Sequence, residues 1–595
     1  MKRSQALRLL GRHLKTALLA NRLGIPSQEA IDRLSRLSAE AREKDLSRRK
    51  FLGTAGKALT AAAFASTLGP WRQAFAARKT PSSLSVGIVG AGLAGLTAAR
   101  ELKNAGLDIS LYDAGSRVGG RVWSLSNKFP GQVAERGGEL IDTAHKTMLA
   151  YANEFNLDLE DVNKVDGEVF YRFMDQDYSE SEVVDQYRQF VATMHDDLRG
   201  LSGEISALTH TEEDRRLDLI SIDEYLDGNN SSGTPAGDLL REVIRVAYTI
   251  EYGLETHEQS SINFLQFIHA DKRSQFKPWG IFSDERYHIV GGNDQITSRL
   301  ADELTAETEL GMSLTRVSKG SDGRITLTFR SGNRTVTRTH DRVILAIPFS
   351  TLRNVELQSS LALPAWKTDA IRDFCLGANT KHMIGFNGRP WASLGGNGAS
   401  YSDLVCIVDI PRIRRSRSPR SRTVYSNTAW SLGSLRPCLR GILTMRRGVS
   451  TIYDLVDLQA TWETNVSQST AKRAIMTDYS GGDRALSLNA ANAQSEAEKF
   501  LNALETVFPG SKAFASRSGG KYITHLENWA TNPLALGGYT CYKPGQFTSI
   551  AGLEGIAVDN LHFAGEHTDS FYSWQGFMEG ACLSGLRTAA EVLDS

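Results

Sequence analysis

The sequence predicts an α/β chain, with a parallel sheet of the Rossmann type interleaved with a second domain of mixed α+β character. Three observations predict it. Residues 84–89 form a short apolar run ending on Gly90-x-Gly92-x-x-Gly95; the helical pattern "LAGLTAARELKNAG" follows at once and leads into a β-like run, "DISLYD", that closes on Asp113. Far along the chain, "NLHFAGEHTDSFYSWQGFMEGACLSGLRTAAEVL" (560–593) reads as a further strand, a loop and a helix starting near Gln575. The length of 595 residues leaves room for more than one domain at the usual ~100–200 residues each.

The chain begins with a stretch outside this pattern. Residues 1–44 read as a basic extension with helical spacing in "QALRLLGRHLKTALLANRL". Ser47-Arg48-Arg49-Lys50-Phe51-Leu52 then precedes an Ala/Gly/Thr-rich segment and a small-residue site at Ala74–Ala76. This resembles the twin-arginine export motif. It implies a bacterial protein exported already folded, periplasmic or secreted, with the twin-arginine machinery as a partner. Lys57 and the weak apolar content argue against a stable membrane span. Residues 1–79 are therefore assigned to extension and signal.

Composition excludes other classes. Lys+Arg and Asp+Glu both number 68, so nothing points to nucleic acid. The five cysteines (375, 406, 438, 541, 582) are scattered, and their spacing implies neither a disulfide framework nor a metal site.

The glycine turn carries the first chemistry. Gly90 permits a tight turn. Gly92 lets the backbone N–H groups at Leu93 and Ala94 approach a pyrophosphate at the helix N-terminus, and Gly95 allows helix and sheet to pack closely. Asp113 is placed to accept a ribose hydroxyl. After it, "AGSRVGGRVWS" supplies Arg117, Gly119, Gly120 and Arg121, a second glycine pair with flanking arginines suited to the same anion.

Together these motifs resemble the flavin-containing amine oxidase family, which includes monoamine, polyamine and L-amino acid oxidases. The resemblance implies an FAD-binding domain interleaved with a substrate domain. Its boundaries are 80–145, 284–360 and 536–595 for FAD, and 146–283 and 361–535 for substrate. The family usually has Glu where Asp113 stands. The resemblance also places Gly565 and Glu566 at the ribityl or pyrophosphate region, and Phe577 and Met578 where a helix N-terminus faces the flavin. Gly137, Gly138 and Glu139 in "RGGELID" would lie along the flavin ring, and Val317 would meet adenine through its backbone. Residues 146–283 read as mostly helical. "RYHIVGGNDQITSRLADEL" (286–304) matches a return strand and helix, followed by a β-meander and a closing strand.

The same resemblance names the catalytic candidates. Tyr539 matches one aromatic wall; Phe577, where Tyr is common, and Trp574 match the other. Lys381 matches a lysine that holds water against the flavin. Gly538 stands where some relatives carry a flavin-linking cysteine, so FAD is expected to be non-covalent. The implied reaction takes a primary or secondary amine, or an L-amino acid, to an imine by hydride transfer to flavin N5, with O2 as acceptor and H2O2 as product. The turn at 136–142 lacks the arginine that L-amino acid oxidases of the family often use there, which tilts the reading toward a monoamine or polyamine; L-amino acid oxidase is the alternative. A desaturase-type enzyme and a non-catalytic flavin-binding protein are the readings from other classes. A dimer is compatible with the sequence, which does not itself decide the oligomeric state. Residues 406–453, with about ten arginines and almost no acids, interrupt the family pattern and read as an inserted basic loop.

Overall fold

A computed structural model of the chain describes residues 16–17, 20–21, 23–33, 84–162, 167–268, 285–404, 458–464, 472–569 and 574–595. The Arg48-Arg49 motif, the Ala74–Ala76 site and the 406–453 segment lie outside these residues.

The core sheet has five parallel strands: β1 (Ser85–Val89), β2 (Asp108–Asp113), β3 (Thr308–Leu310), β4 (Arg342–Leu345) and β5 (Leu561–Phe563), in the order β5-β4-β1-β2-β3. Helix α1 (Leu93–Asn104) crosses from β1 to β2, and α2 (Met578–Asp594) follows β5. The central strands β1 and β4 are largely apolar and buried, as helices covering the sheet require. Val86, Ile88, Leu111, Ile344, Leu96, Leu102 and Leu586 share one buried core. The two helices cross closely: a Cβ on Gly585 would lie 2.4 Å from the Ala94 carbonyl. The start of α2 at Met578 rather than near Gln575 has a local reason. Gly576 sits at φ +81°, outside the helical region, and Phe577 is the extended N-cap.

The predicted return strand and helix appear as Tyr287–Ile289 and Asp294–Asp302, and the meander as a four-stranded sheet. The region read as mostly helical holds the helices Lys146–Glu154, Glu180–Gly200, Glu212–Asp218, Ile222–Leu226, Asp238–Tyr252 and Ser261–Ile268. Its acidic residues have a use. Glu182, Asp214 and Glu224 close capping boxes with Ser179, Thr211 and Ser221, satisfying donors that each helix start leaves unpaired. The same region also contributes the strands Glu168–Phe173 and Gln176–Tyr178, which the helical reading missed. They complete a seven-stranded sheet, and the first pairs parallel with the distant Gly396–Leu404.

That sheet also shows what flanks residues 405–457. Gly396–Leu404 and Leu458–Glu463 are antiparallel partners, with Leu404 opposite Leu458. The two described strands on either side therefore end next to one another. Near the N-terminus, Ala20 and Ala30 are buried, and Arg188 on helix Glu180–Gly200 donates to Asn21 Oδ1 at 2.8 Å. The described residues of this stretch thus rest on the folded body. Among the described residues no helix is long and apolar enough to cross a membrane.

Candidate active site

The site begins at the end of β1. Gly90 N donates to the Tyr112 carbonyl at 2.7 Å, and its φ of +107° suits only glycine. A Cβ on Gly95 would lie 1.8 Å from the Gly90 carbonyl oxygen, so α1 can seat on the turn only without a side chain there. Gly92 differs. A Cβ there would meet nothing nearer than Gly120 Cα at 4.0 Å. Two glycine backbones thus face one another with no side chain between them at the start of α1, which has no side-chain cap. Uncapped first-turn N–H groups, Leu93 and Ala94 among them, suit an anion. The residues present therefore fit a dinucleotide pyrophosphate.

Asp113 closes β2. Its carboxylate accepts from Ala91 N and Gly115 N, each at 2.7 Å, and a carboxylate has acceptor capacity beyond these two. Burial pushes its pKa up, and the two amides and Arg117 pull it partly back. Arg117 folds onto its own loop: it donates to the carbonyls of Val118 (2.8 Å) and Gly120 (2.5 Å) and lies 3.8 Å over the Trp123 ring. Burial first, then the Arg136 charge, lowers it to about 10. Val317 lies within the four-stranded sheet, and its carbonyl accepts from Gln358 N at 3.0 Å.

Arg121 reaches further. It donates to the Gly538 carbonyl at 2.6 Å and to Glu566 Oε1 at 2.9 Å. The other Glu566 oxygen accepts from Thr540 Oγ1 at 2.9 Å and from Gly576 N at 2.7 Å. Burial would raise the Glu566 carboxyl, but Arg121 and the other partners more than offset it and hold it below its ordinary value. One carboxylate thus joins the second glycine loop to both C-terminal segments.

Lys381 projects from strand Asn379–Phe386 and is 3% exposed. Its Nζ donates to the Glu135 carbonyl (2.9 Å), the Gly137 carbonyl (2.8 Å) and Glu139 Oε2 (2.8 Å). Those partners match an ammonium's three protons. The Gly137–Glu139 turn is pinned from the other side as well. Gly138 N donates to the Arg121 carbonyl at 3.0 Å, and Asn293 Nδ2 donates to the Glu139 carbonyl at 2.7 Å. Arg136, just before it, donates to Glu527 Oε2 at 2.5 Å and lies over Trp123.

The aromatic candidates fall into two neighbouring groups. Tyr539 shares a hydroxyl–hydroxyl hydrogen bond of 3.1 Å with Tyr479, whose ring packs 5.1 Å from Trp462. Trp574 and Phe577 meet edge-on at 5.8 Å, and both pack against the His145 ring, at 4.8 and 5.0 Å. A Cβ on Gly576 would lie 3.6 Å from the Tyr539 ring, so the second group passes directly beside the first. Tyr479, Trp462 and His145 were not picked out from the sequence. "AIMTDYSG" has no period of two, because its strand is buried on both faces, and only the register of that strand places Tyr479 opposite Lys381.

The family model for flavin-containing amine oxidoreductases matches residues 93–593. The chain belongs to that family. Flavin chemistry on CH–NH2 groups is therefore its activity. Two of its relatives are L-amino-acid oxidases. That of Pseudechis australis is 24% identical over 536 residues, covering 87% of this chain and 88% of its own. That of Siganus canaliculatus is 24% identical over 530 residues, covering 86% and 85%. Solved structures share the fold: putrescine oxidase bound to putrescine and the cyclohexylamine oxidase of Brevibacterium oxydans IH-35A each give a TM-score of 0.64 at 18% identity, over 86% of this chain and 99% of theirs.

Proposed function

We propose that the chain binds FAD non-covalently and oxidises a primary or secondary amine, or an L-amino acid, to an imine. The observation that carries this is the Glu566 carboxylate, which links Arg121 beside the glycine cradle to Gly576 beside the aromatic rings. Gly90, Gly92, Leu93, Ala94, Gly95, Gly120 and Arg121 would hold the pyrophosphate, and Asp113 a ribose hydroxyl. Gly137, Gly138, Glu139, Gly565, Glu566 and the start of α2 at Phe577–Met578 would line the flavin. A bound FAD supplies hydride acceptance from the carbon next to nitrogen, with O2 as final acceptor and H2O2 as product.

The chain's own residues do the rest. Tyr539, Phe577 and Trp574 offer apolar faces that orient a neutral amine and exclude water. The Glu139–Lys381 pair fixes the 135–139 turn and keeps a cation close to it. The imine is released and hydrolysed to a carbonyl compound and ammonia or a smaller amine. Gly538 offers no thiol for attachment, and burial pushes the Cys541 thiol well up, which disfavours the reactive thiolate. Arg136 is engaged by Glu527, which favours substrates that need no arginine at that turn; the L-amino acid relatives favour the alternative. Export by the twin-arginine route rests on Arg48-Arg49 and is part of the same proposal.

Anaerobic bleaching of the flavin absorbance by a panel of monoamines, polyamines and L-amino acids tests the reading. Bleaching by one class names the substrate. A flavin that none of them bleaches overturns it.

A further inference from the structure

Two buried bridges hold segment 539–542 against the turn 574–577. Glu566 forms one, between Thr540 and Gly576. The other runs through Tyr542. Gln575 Nε2 donates to the Tyr542 hydroxyl at 2.9 Å and to the His567 carbonyl at 3.2 Å. The hydroxyl in turn donates to Glu554 Oε1. Behind Glu554, Lys367 Nζ donates to the carbonyls of Leu553 (2.7 Å) and Glu554 (2.8 Å), holding the loop that carries the carboxylate. Tyr542, Glu554, Lys367 and Gln575 are all buried.

We propose that Tyr542, oriented by Glu554, is the positioning residue for the aromatic wall of Trp574 and Phe577. The turn carries the bond from Phe577 N to the Trp574 carbonyl at 3.1 Å, and Gly576 in the left-handed region leaves it outside α2. Gln575 and Gly576 anchor its backbone to the buried bridges, beside the His145 ring that Trp574 and Phe577 pack against. The two rings flank those residues, so a slip of the Gln575 anchor moves both. A hydroxyl can accept from Gln575 and donate to Glu554 at once; a phenylalanine does neither and leaves one buried Gln575 N–H without its acceptor, the His567 carbonyl keeping the other. The carboxylate need not be charged for this. Burial pushes Glu554 up to about 7 and Lys367 down to about 7, and an amide oxygen can accept from Tyr542 equally well. The other charged groups facing this cluster are Arg587 and Glu591 on α2.

The inference rests on the amine oxidase reading, and its test has one arm that does not. Hydrogen exchange at the Gly576 and Phe577 amides is compared in the wild-type holoenzyme, Tyr542→Phe, Glu554→Leu and Glu554→Gln. Flavin bleaching by benzylamine, putrescine and L-leucine, and reoxidation by O2, are followed in each. Tyr542→Phe and Glu554→Leu are expected to exchange these amides about tenfold faster and bleach about tenfold more slowly, the factor for one buried hydrogen bond. Reoxidation stays unchanged, and Glu554→Gln behaves as wild type. Exchange and bleaching within twofold of wild type in Tyr542→Phe overturns the proposal, as does equal loss in both half-reactions. If Tyr542→Phe does not fold, the contrast between Glu554→Leu and Glu554→Gln decides in the same way. If no probe bleaches the wild type, the amine oxidase reading falls, and exchange alone decides the positioning role.

Discussion

The hydroxyls of Tyr479 and Tyr539 lie 3.1 Å apart across 60 positions of sequence. Tyr479 stands directly opposite Lys381 in the sheet, and Tyr539 abuts Gly576, so this bond joins the lysine's sheet to the aromatic turn. Replacing either tyrosine by Phe removes one buried hydrogen bond, worth about 1 kcal/mol. Each single variant should lose roughly fivefold in kcat/KM, and the double variant should lose little more than either. A double-mutant cycle on flavin bleaching measures the coupling; strict additivity would show that the bond has no catalytic consequence.

Lys381 and Glu139 form a buried ion pair at 2.8 Å. Removing one partner leaves the other charge stranded, a loss of about 3–5 kcal/mol. Lys381→Met should therefore unfold at lower urea than wild type, and Lys381→Met/Glu139→Gln should recover part of the difference. Denaturation midpoints at equal slope report it. Failure of the double variant to recover would mean that the two carbonyl contacts, not the carboxylate, carry the lysine.

Gly92 and Gly95 separate cofactor binding from folding. Gly95→Ala forces a methyl to 1.8 Å from a backbone oxygen and should lower stability by at least about 1–3 kcal/mol. Gly92→Ala places its methyl in unstrained contact 4.0 Å from Gly120 Cα, so it should fold with stability within about 0.5 kcal/mol of wild-type apoprotein yet retain little flavin, because the methyl faces the pyrophosphate approach. The ratio of flavin to protein absorbance, read beside apoprotein melting, checks both. A Gly92→Ala protein with full flavin would move the pyrophosphate elsewhere.

Burial pushes Glu135 up from 4.5 to about 7, against the pull of Asn293 N and Ser124. Between those values the native chain keeps a proton that the unfolded chain releases. This group's contribution to stability therefore falls as the pH rises from about 4.5 to about 7, at a slope of at most about 1.4 kcal/mol per pH unit. Glu135→Gln cannot titrate, so its stability relative to wild type should rise from pH 5 to pH 8. Urea titrations of both proteins across that range test it; a difference independent of pH would place Glu135 at its ordinary value.

The sequence was most legible where chemistry is local. Gly90, Gly92 and Gly95 lie within one turn; the Ala346 carbonyl crowds Gly90, the Gly90 carbonyl crowds Gly95, and Gly92 stays uncrowded, so their spacing alone announced the cradle. Asp113 follows from the same unit. Arg117 was harder to assign, because an arginine beside a glycine pair suits an anion and its own loop equally well. The hairpin at 168–178 escaped notice because the sheet partner of its first strand lies more than two hundred residues further on, and nothing in its own pattern outweighed the helical context around it.

What the sequence determined by itself was the set of local backbone shapes: glycines where no Cβ fits, and the Ser and Thr caps that start the helices. Tertiary structure alone decided the partners. That Lys381 would meet Glu139 across 242 residues, and Tyr479 would meet Tyr539, depends on the register of antiparallel strands. A shift of one residue would turn Lys381 and Tyr479 to the opposite face of their sheet. Register is chosen by the packing of whole faces against helices, an energy summed over many distant residues, and no short stretch of sequence contains it.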